Sequence, residues 1–305
     1  MTTKVREILS MYESDNPAVK ANLYRIMNTG KLAGTGRMLI LPVDQGFEHG
    51  PVRSFGQNEP AYDPHYHFQL AIDAGLNAFA SPLGMIEAGA DTFAGRLPTI
   101  LKLNSANMMI PKSSTTDQAV TASVRDAVRL GCAGIGLTIY PGAPTALDLI
   151  EEARELIAEG KSYGLPSFVW AYPRDGDLTK ECETAIDVSA YATQIAALIG
   201  AHVIKVKLSS DHVSQSDVKK IYAETGKDLS TLAKRVAHIK QAAFGGRRLV
   251  IFSGGDKRSA DSIYDEARAI ADGGGNGSII GRNAFKRPRP DALNMLEKII
   301  GIYQG

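Results

Sequence analysis

The sequence predicts an α/β protein, a (β/α)8 TIM barrel with an N-terminal helical extension, and three observations support this fold. Eight short apolar runs recur along the chain, each typical of a parallel strand that is buried on both faces. Longer segments with helical periodicity follow most of the runs, as the eight β-then-α units of a closed barrel require. No Gly-x-Gly-x-x-Gly follows the first run, so the alternative of an open, dinucleotide-binding sheet loses its main support. The runs occupy residues 37–44, 77–83, 98–104, 133–140, 166–172, 202–208, 248–254 and 277–282.

Amphipathic segments between the runs predict the helices. Apolar residues recur at three- and four-residue spacing in 116–130, and Pro144 stands near the first turn of 144–163, where proline is favoured. The residues before the first strand predict one or two short helices, which could close the bottom of the barrel or serve an interface. We therefore expect residues 1–35 to form a helical extension and residues 36–305 a barrel catalytic domain. The predicted helices span 64–74, 116–130, 144–163, 182–199, 229–243, 258–273 and 289–303.

Composition narrows the classes of function. Lys and Arg total 34 and Asp and Glu total 33, so the net charge of +1 gives no sign of a nucleic-acid or membrane partner. The two cysteines, Cys132 and Cys182, exclude a disulfide framework and a Cys-x-x-Cys zinc site. The N-terminus lacks a signal-peptide pattern and no run is long enough to span a membrane, so we expect a cytoplasmic protein. The 30 glycines indicate many tight turns or a backbone that approaches a ligand closely.

The sixth predicted strand carries two lysines at the end where barrels place their chemistry. In HVIKVKL, side chains alternate, so Lys205 and Lys207 share one side. The apolar residues should pack on the helices, which leaves both lysines facing the barrel axis. Burial and a neighbouring cation both lower a lysine pKa, and a neutral lysine can form a Schiff base with a carbonyl. The alternative is a pair of lysines that are bound to carboxylates or extend to solvent.

Polar and aromatic residues end two other predicted strands. In WAYPRDG, Trp170 and Tyr172 share a side by alternation, and Arg174 continues that series if the strand geometry persists past Pro173. A tyrosine hydroxyl over the axis can donate a proton. Asp44 ends the first strand as a candidate acid or base, although it could equally be a turn residue.

Two glycine-containing segments follow the seventh and eighth predicted strands, where barrels commonly bind phosphate. These segments are FSGGDKR (252–258) and IIGRNAF (279–285). Glycines let the backbone approach an anion, and Arg282 or Lys257 could add charge. Ordinary turn glycines are the alternative reading of either segment alone. Their occurrence together at these two strands favours phosphate binding.

A metal site is a weaker hypothesis. His49, His65 and His67, with Asp44 or Glu48, could in principle hold a divalent ion. Their spacing matches no specific ligand pattern, so we expect no metal.

Taken together, the motifs resemble those of the archaeal-type class I fructose-1,6-bisphosphate aldolases. The resemblance covers roughly residues 36–303, and its motifs occur in order at the predicted strand ends. It implies a TIM barrel, a cytoplasmic enzyme of glycolysis and gluconeogenesis, a phosphorylated sugar substrate, and a covalent lysine imine without a metal or other cofactor. The motifs are LPVDQGFEHGP, ILKLN, WAYPRDG, VIKVKL, FSGGDK and IIGRNAF.

The resemblance also implies roles for individual residues. The Schiff-base lysine falls on Lys205, although alternation alone does not choose between it and Lys207. The aspartate falls on Asp44 and the tyrosine proton donor on Tyr172. The remaining implied substrate- and phosphate-binding positions are Trp170, Arg174, Ser253, Gly254, Gly255, Gly281 and Arg282. We add His49 and Lys207 as further candidates for substrate binding.

The implied reaction is reversible cleavage of fructose 1,6-bisphosphate to dihydroxyacetone phosphate and glyceraldehyde 3-phosphate. Relatives of this family act on other phosphorylated keto sugars, including aminodideoxyheptulosonate synthases and a thiolase, so those substrates stay open. A non-catalytic barrel that binds sugar phosphates is a further alternative. Soluble enzymes commonly form homo-oligomers, and we expect one here.

Overall fold

A computed structural model describes residues 1–111, 114, 116–253 and 259–305. Eight parallel strands close into a barrel in which each strand pairs with its neighbours in the chain and the last pairs with the first. The predicted TIM barrel and its eight strands are confirmed. The barrel strands are β1 (Met38–Pro42), β2 (Ala78–Pro82), β3 (Thr99–Lys102), β4 (Gly134–Ile139), β5 (Ser167–Ala171), β6 (Val203–Lys207), β7 (Leu249–Ser253) and β8 (Gly277–Ile279).

The helices surround this barrel. Two of them precede the first strand in the chain and two follow the last. Short turns of 3-10 helix also occur at Glu59–Tyr62 and Cys182–Thr184. In the described part of the chain the α-helices are α1 (Thr3–Ser10), α2 (Pro17–Met27), α3 (Gln45–His49), α4 (Pro51–Phe55), α5 (Pro64–Ala74), α6 (Leu83–Glu87), α7 (Val124–Arg129), α8 (Ala146–Ser162), α9 (Ile186–Leu198), α10 (Ser216–Glu224), α11 (Leu232–Ala242), α12 (Ala260–Asp272), α13 (Arg282–Phe285) and α14 (Arg289–Gln304).

One predicted helix, 116–130, was too long. Residues Ala119–Val120 instead pair as a short antiparallel strand with Asn104–Ser105. The helix α7 begins only after Ser123, whose hydroxyl accepts from the backbone of Asp126 while the Asp126 carboxylate accepts from the backbone of Ser123. This reciprocal capping box sets the start of the helix, which periodicity alone did not locate.

The N-terminal helices α1 and α2 close the bottom of the barrel, the end at which the strands begin. Val5 and Leu23 are buried in the same apolar cluster as the inward-facing Met38 and Val203. Tyr12, just after α1, donates a hydrogen bond to the backbone oxygen of His202 at 2.5 Å and accepts one from the backbone of Leu249 at 3.2 Å. These contacts join the extension to the starts of β6 and β7. Of the two roles left open by the sequence, the structure therefore supports bottom closure.

Strand alternation places the chemistry-bearing side chains inside the barrel. Ile204 and Val206 of β6 belong to the outer core beneath the helices, as predicted from HVIKVKL. Gly136 on β4 leaves space for the indole of Trp170, because a Cβ atom there would lie 2.8 Å from two ring carbons. The indole packs in the same inner cluster as Ile40, Ile100 and Ile251, so the interior is a packed core. No helix in the described ranges is both long and apolar enough to cross a membrane.

Candidate active site

The site predicted from the sequence forms one cavity at the carboxyl ends of the strands. Gly254 and Gly255, like Lys257, lie outside the described residues. Every other residue in the predicted set lines this cavity, although the set comes from five different strands and their loops. Those residues are Asp44, His49, Trp170, Tyr172, Arg174, Lys205, Lys207, Ser253, Gly281 and Arg282.

Lys205 lies on the barrel axis against two aromatic rings. Trp170 and Lys205 are in register on β5 and β6, and the ammonium nitrogen lies 4.8 Å from the Trp170 ring centroid and 5.4 Å from that of Tyr172. Only 5% of the residue is exposed. Burial lowers the pKa of Lys205 to about 8, an effect that nearby Asp44 and Glu48 oppose and Arg282 adds to. A useful fraction of this amine is therefore neutral, and nucleophilic, near pH 7.

Lys207 shares the inward face of β6 but has a different environment. Its side chain is 32% exposed, and its nitrogen lies 3.7 Å from a carboxylate oxygen of Glu183. Burial and the charge of Arg174 lower the pKa of Lys207, while Glu183 raises it. Side-chain alternation does not distinguish Lys205 from Lys207. Their different burial in the barrel does. The deeper position of Lys205 is the one suited to imine formation.

Two carboxylates stand beside Lys205. Asp44 follows β1 and is buried, and its Oδ1 has no hydrogen-bond partner among the described residues. Glu48, one turn further on in α3, has its pKa raised to about 7 by burial and by the charge of Asp44. The cations Lys102, Lys205 and Arg174 oppose that rise. Glu48 can therefore gain or lose a proton near neutral pH.

Tyr172 is a partly buried phenol that lines the cavity. Its hydroxyl donates to the Ser253 hydroxyl at 3.4 Å, above β6, which lies between their two strands. Burial raises the pKa of Tyr172 far above its usual range, so the phenol stays protonated at neutral pH. The guanidinium of Arg174 lies 5.0 Å from the Tyr140 ring centroid and 5.9 Å from that of Tyr172. The predicted continuation of the side-chain series past Pro173 thus brings Arg174 into the site, although β5 itself ends at Ala171.

The far wall of the cavity contains Ser253, Gly281 and Arg282. A Cβ atom at Gly281 would lie 2.5 Å from the backbone oxygen of Pro42, so only glycine fits where β8 leads into α13. Arg282 lies immediately after it and contributes positive charge beside Lys205. This wall offers a hydroxyl and a cation to an anionic group, which matches the chemistry of phosphate binding.

Lys102, at the end of the third predicted strand, was given no role from the sequence, but its charge acts on Asp44, Glu48 and Lys205. Lys102 ends β3, is buried, and donates a hydrogen bond to Asn104 Oδ1 at 3.1 Å and another to the Asn104 backbone oxygen. Burial lowers the pKa of Lys102 to about 8, against the opposing charges of Asp44 and Glu48. Its nitrogen lies 5.7 Å from the Trp170 ring centroid. The motif ILKLN contained the signal, because the alternation argument applied to β6 also points Lys102 inward.

The alternative metal set does not come together at this cavity. His49 lines it, with Nε2 3.7 Å from Glu48. The Nε2 atom of His65 instead lies 2.8 Å from the Ala88 backbone oxygen. The Nε2 atom of His67 is 2.7 Å from the Ala61 backbone oxygen, in an aromatic cluster with Phe55 and Phe285.

The fold and the site together define a (β/α)8-barrel protein with a lysine-centred site suited to carbonyl chemistry. Residues 38–287 match the model of the DeoC/LacD family of aldolases. The chain belongs to this family of aldolases, which confirms the family predicted from the motifs.

Relatives and solved structures agree with this membership. The class 1 fructose-bisphosphate aldolase of Thermoproteus tenax is 30% identical over 90% of this chain and 92% of its own length. A Chlamydia trachomatis protein named "Probable fructose-bisphosphate aldolase class 1" is 32% identical over 95% of this chain and 86% of its own. An archaeal fructose-1,6-bisphosphate aldolase, solved with its catalytic lysine bound covalently to the carbinolamine intermediate of the substrate, is 28% identical. The alignment of the two structures covers 93% of this chain and 99% of the archaeal chain, with a TM-score of 0.77.

Proposed function

We propose that this protein is a class I fructose-bisphosphate aldolase that cleaves fructose 1,6-bisphosphate reversibly through an imine on Lys205. The observation that carries the proposal is the buried Lys205 amine on the barrel axis, with its pKa lowered to about 8, beside Asp44, Glu48 and Tyr172. The relatives named for this activity, and the neighbour trapped with a lysine-bound intermediate, support it.

The chemistry begins with attack of the Lys205 nitrogen on the ketone carbon of the substrate. The carbinolamine loses water to give an iminium, whose positive nitrogen accepts the electron pair as the C3–C4 bond breaks. A carboxylate, which we assign to Asp44, takes the proton of the C4 hydroxyl, and glyceraldehyde 3-phosphate leaves. Tyr172 then protonates the enamine carbon, and hydrolysis releases dihydroxyacetone phosphate and the free amine. These steps use the chain's own groups and need no metal or other cofactor.

The two phosphates of the substrate need anion sites on opposite sides of Lys205. We assign one phosphate to Ser253, Gly281 and Arg282, where the hydroxyl and the guanidinium line the same wall. Gly254 and Gly255, which the sequence assigns to the same phosphate, lie outside the described residues. Arg174 and His49, on the opposite rim, are assigned to the other phosphate. Trp170 would then support the substrate carbons between them, with Lys207 at the rim.

Reductive trapping tests the imine. Incubation with dihydroxyacetone phosphate and borohydride, followed by peptide mass mapping, should give one reduced adduct on Lys205. Lys207→Met is the matched control, because it removes an inward lysine from the same strand and should still form the adduct. Lys205→Met should form none and lose turnover by at least about a thousandfold. An adduct on Lys207 would refute the assignment, and the absence of any adduct would refute imine chemistry.

A substrate panel tests the remaining alternatives. A coupled assay should detect triose phosphates from fructose 1,6-bisphosphate, and turnover restricted to other ketose phosphates would replace the proposed substrate. Binding of sugar phosphate without turnover would favour the non-catalytic barrel. We also propose a homo-oligomer, which light scattering of the purified protein tests directly.

A further inference from the structure

A second cavity lies at the opposite end of the barrel from the candidate active site. It has a volume of about 460 Å³ and is enclosed by α1, by the segment between α11 and β7, and by the turn before β8. A cavity of this size can hold a small metabolite. Five cationic side chains line it: Lys4, Arg37, Lys240, Arg247 and Arg248.

The charge of this cavity is not balanced within its walls. None of its described lining residues is an aspartate or a glutamate. The carboxylates paired with Lys4 and Arg247 lie on the exposed rim, with Glu7 at 3.9 Å and Glu13 at 3.2 Å. Asp15, with a largely buried side chain, interacts with Arg248 from outside the lining and is itself paired with His202 and Lys161. Because the whole chain carries a net charge of only +1, five cations around one cavity are a strong local concentration.

Neutral acceptors hold the deeper cations in place without cancelling their charge. Lys240 donates to the Asn276 side-chain oxygen at 2.6 Å, and Arg37 donates to the Tyr303 backbone oxygen at 2.7 Å. Burial lowers the pKa of Lys240 to about 8, and the charges of Lys4 and Arg37 add to this effect. The ammonium group is therefore kept among like charges, an arrangement that an anion would stabilise.

Four glycine amides around the cavity are already hydrogen-bonded, which leaves the side chains as the main groups for recognition. The amides of Gly245, Gly274 and Gly275 donate to backbone oxygens of the preceding helices, and that of Gly246 donates to Ala243, just after α11. These glycines instead provide room. A Cβ atom at Gly246 would lie 3.3 Å from Cε of Lys240, so glycine leaves space for the lysine stem.

We propose that this cavity binds a small organic polyanion of the phosphate class, held by Lys4, Arg37, Lys240, Arg247 and Arg248. Lysine ammonium and arginine guanidinium groups are the side chains that bind phosphoryl oxygens most strongly, and the cavity can contain two such groups on one small compound. The proposal is independent of the function assigned to the other end of the barrel. Tyr12 lines the cavity and forms hydrogen bonds at the starts of β6 and β7. A ligand in the cavity would therefore contact a residue that attaches α1 to the barrel.

Calorimetric titration of the full-length protein with pyrophosphate tests the site. Lys4→Met and Lys240→Met should each weaken binding about tenfold or more, since each removes one charge-assisted contact. Lys4 is exposed on α1, so its variant tests the site even if Lys240→Met disturbs folding through Asn276. Lys220→Met, on the distant helix α10, is the matched control and should bind like the wild type.

A second measurement separates this cavity from the candidate active site. Arg282→Met should leave the binding event that depends on Lys4 unchanged. At pH 8 the wild type should take up more protons on binding than Lys240→Arg does, because the arginine is already charged. Wild-type affinity in both the Lys4→Met and Lys240→Met proteins would overturn the proposal. A loss of pyrophosphate binding in Arg282→Met alone would also overturn it, and so would the absence of binding at millimolar pyrophosphate.

Discussion

The titration of Lys205 is the sharpest consequence of the site geometry. An ordinary lysine has a pKa of about 10.5, whereas burial against Trp170 and Tyr172 lowers the pKa of Lys205 to about 8. At pH 7 this raises the neutral fraction of the amine by about 300-fold, which corresponds to roughly 3 kcal/mol. Imine formation should rise with pH by about tenfold for each pH unit below 8 and level off above it.

Asp44 allows the cause of this shift to be tested as well as its size. The Asp44 carboxylate favours the charged form of Lys205 and so raises the pKa that burial lowers. Asp44→Asn should therefore move the inflection below pH 8, so that more amine is neutral at pH 7, even while turnover falls because proton transfer is lost. Stronger imine formation combined with weaker turnover is a result that simple damage to the site would not produce.

The assay uses cyanoborohydride trapping with dihydroxyacetone, which carries no titrating phosphate, and quantifies the Lys205 peptide by mass spectrometry between pH 6 and 10. Lys207→Met is the control, and its inflection should stay close to that of the wild type. An inflection near 10.5 in the wild type would refute the argument from burial. A rise of the inflection in Asp44→Asn would refute the assigned sign of the Asp44 interaction.

Three further predictions follow from the same structure. Tyr172→Phe should still form the trapped adduct but lose turnover by about 100-fold or more, and equal losses in both assays would contradict its role as a proton donor. Gly136→Ala should cost about 1–3 kcal/mol of unfolding free energy in urea and shift the fluorescence of Trp170, the only tryptophan, because the added Cβ would lie 2.8 Å from its ring. Burial lowers the pKa of His67 to about 4, below its unfolded value of about 6.5. The unfolded chain therefore binds the extra proton first, and stability should fall by up to roughly 3 kcal/mol as pH drops from about 6.5 to 4. His67→Phe should flatten that dependence, and an unchanged slope would contradict it.

Much of the barrel was predictable because strands buried on both faces leave a strong local signal. Continuous apolar runs such as RMLILPVD and RLVIFSG are short, well separated and each matched by an observed strand. The helix predicted over 116–130 was less accurate. Its start depends on the capping box at Ser123 and on strand pairing at Ala119–Val120 with a segment 15 residues earlier, which periodicity does not report.

The candidate site was predictable in its membership but not in its electrostatics. Strand-end position and side-chain alternation selected Asp44, Tyr172 and the pair Lys205 and Lys207, which the structure brings around one cavity. The same reasoning placed Lys102 at the end of β3 but gave it no role. Glu48 was considered only as a metal ligand, because its raised pKa arises from burial beside Asp44 and not from any local pattern.

The sequence by itself determined the strand count, the closed barrel, the inward side of β6 and the family of the chain. These features depend on periodicity and on motifs that are local in the chain. Only the tertiary structure decided which lysine of β6 is deep, that α1 and α2 close the barrel bottom, and that five cations surround a second cavity there. Depth and charge balance depend on which distant segments meet. Lys205 and Lys207 are two residues apart in the chain, yet the indole of Trp170 covers one and Glu183 pairs with the other.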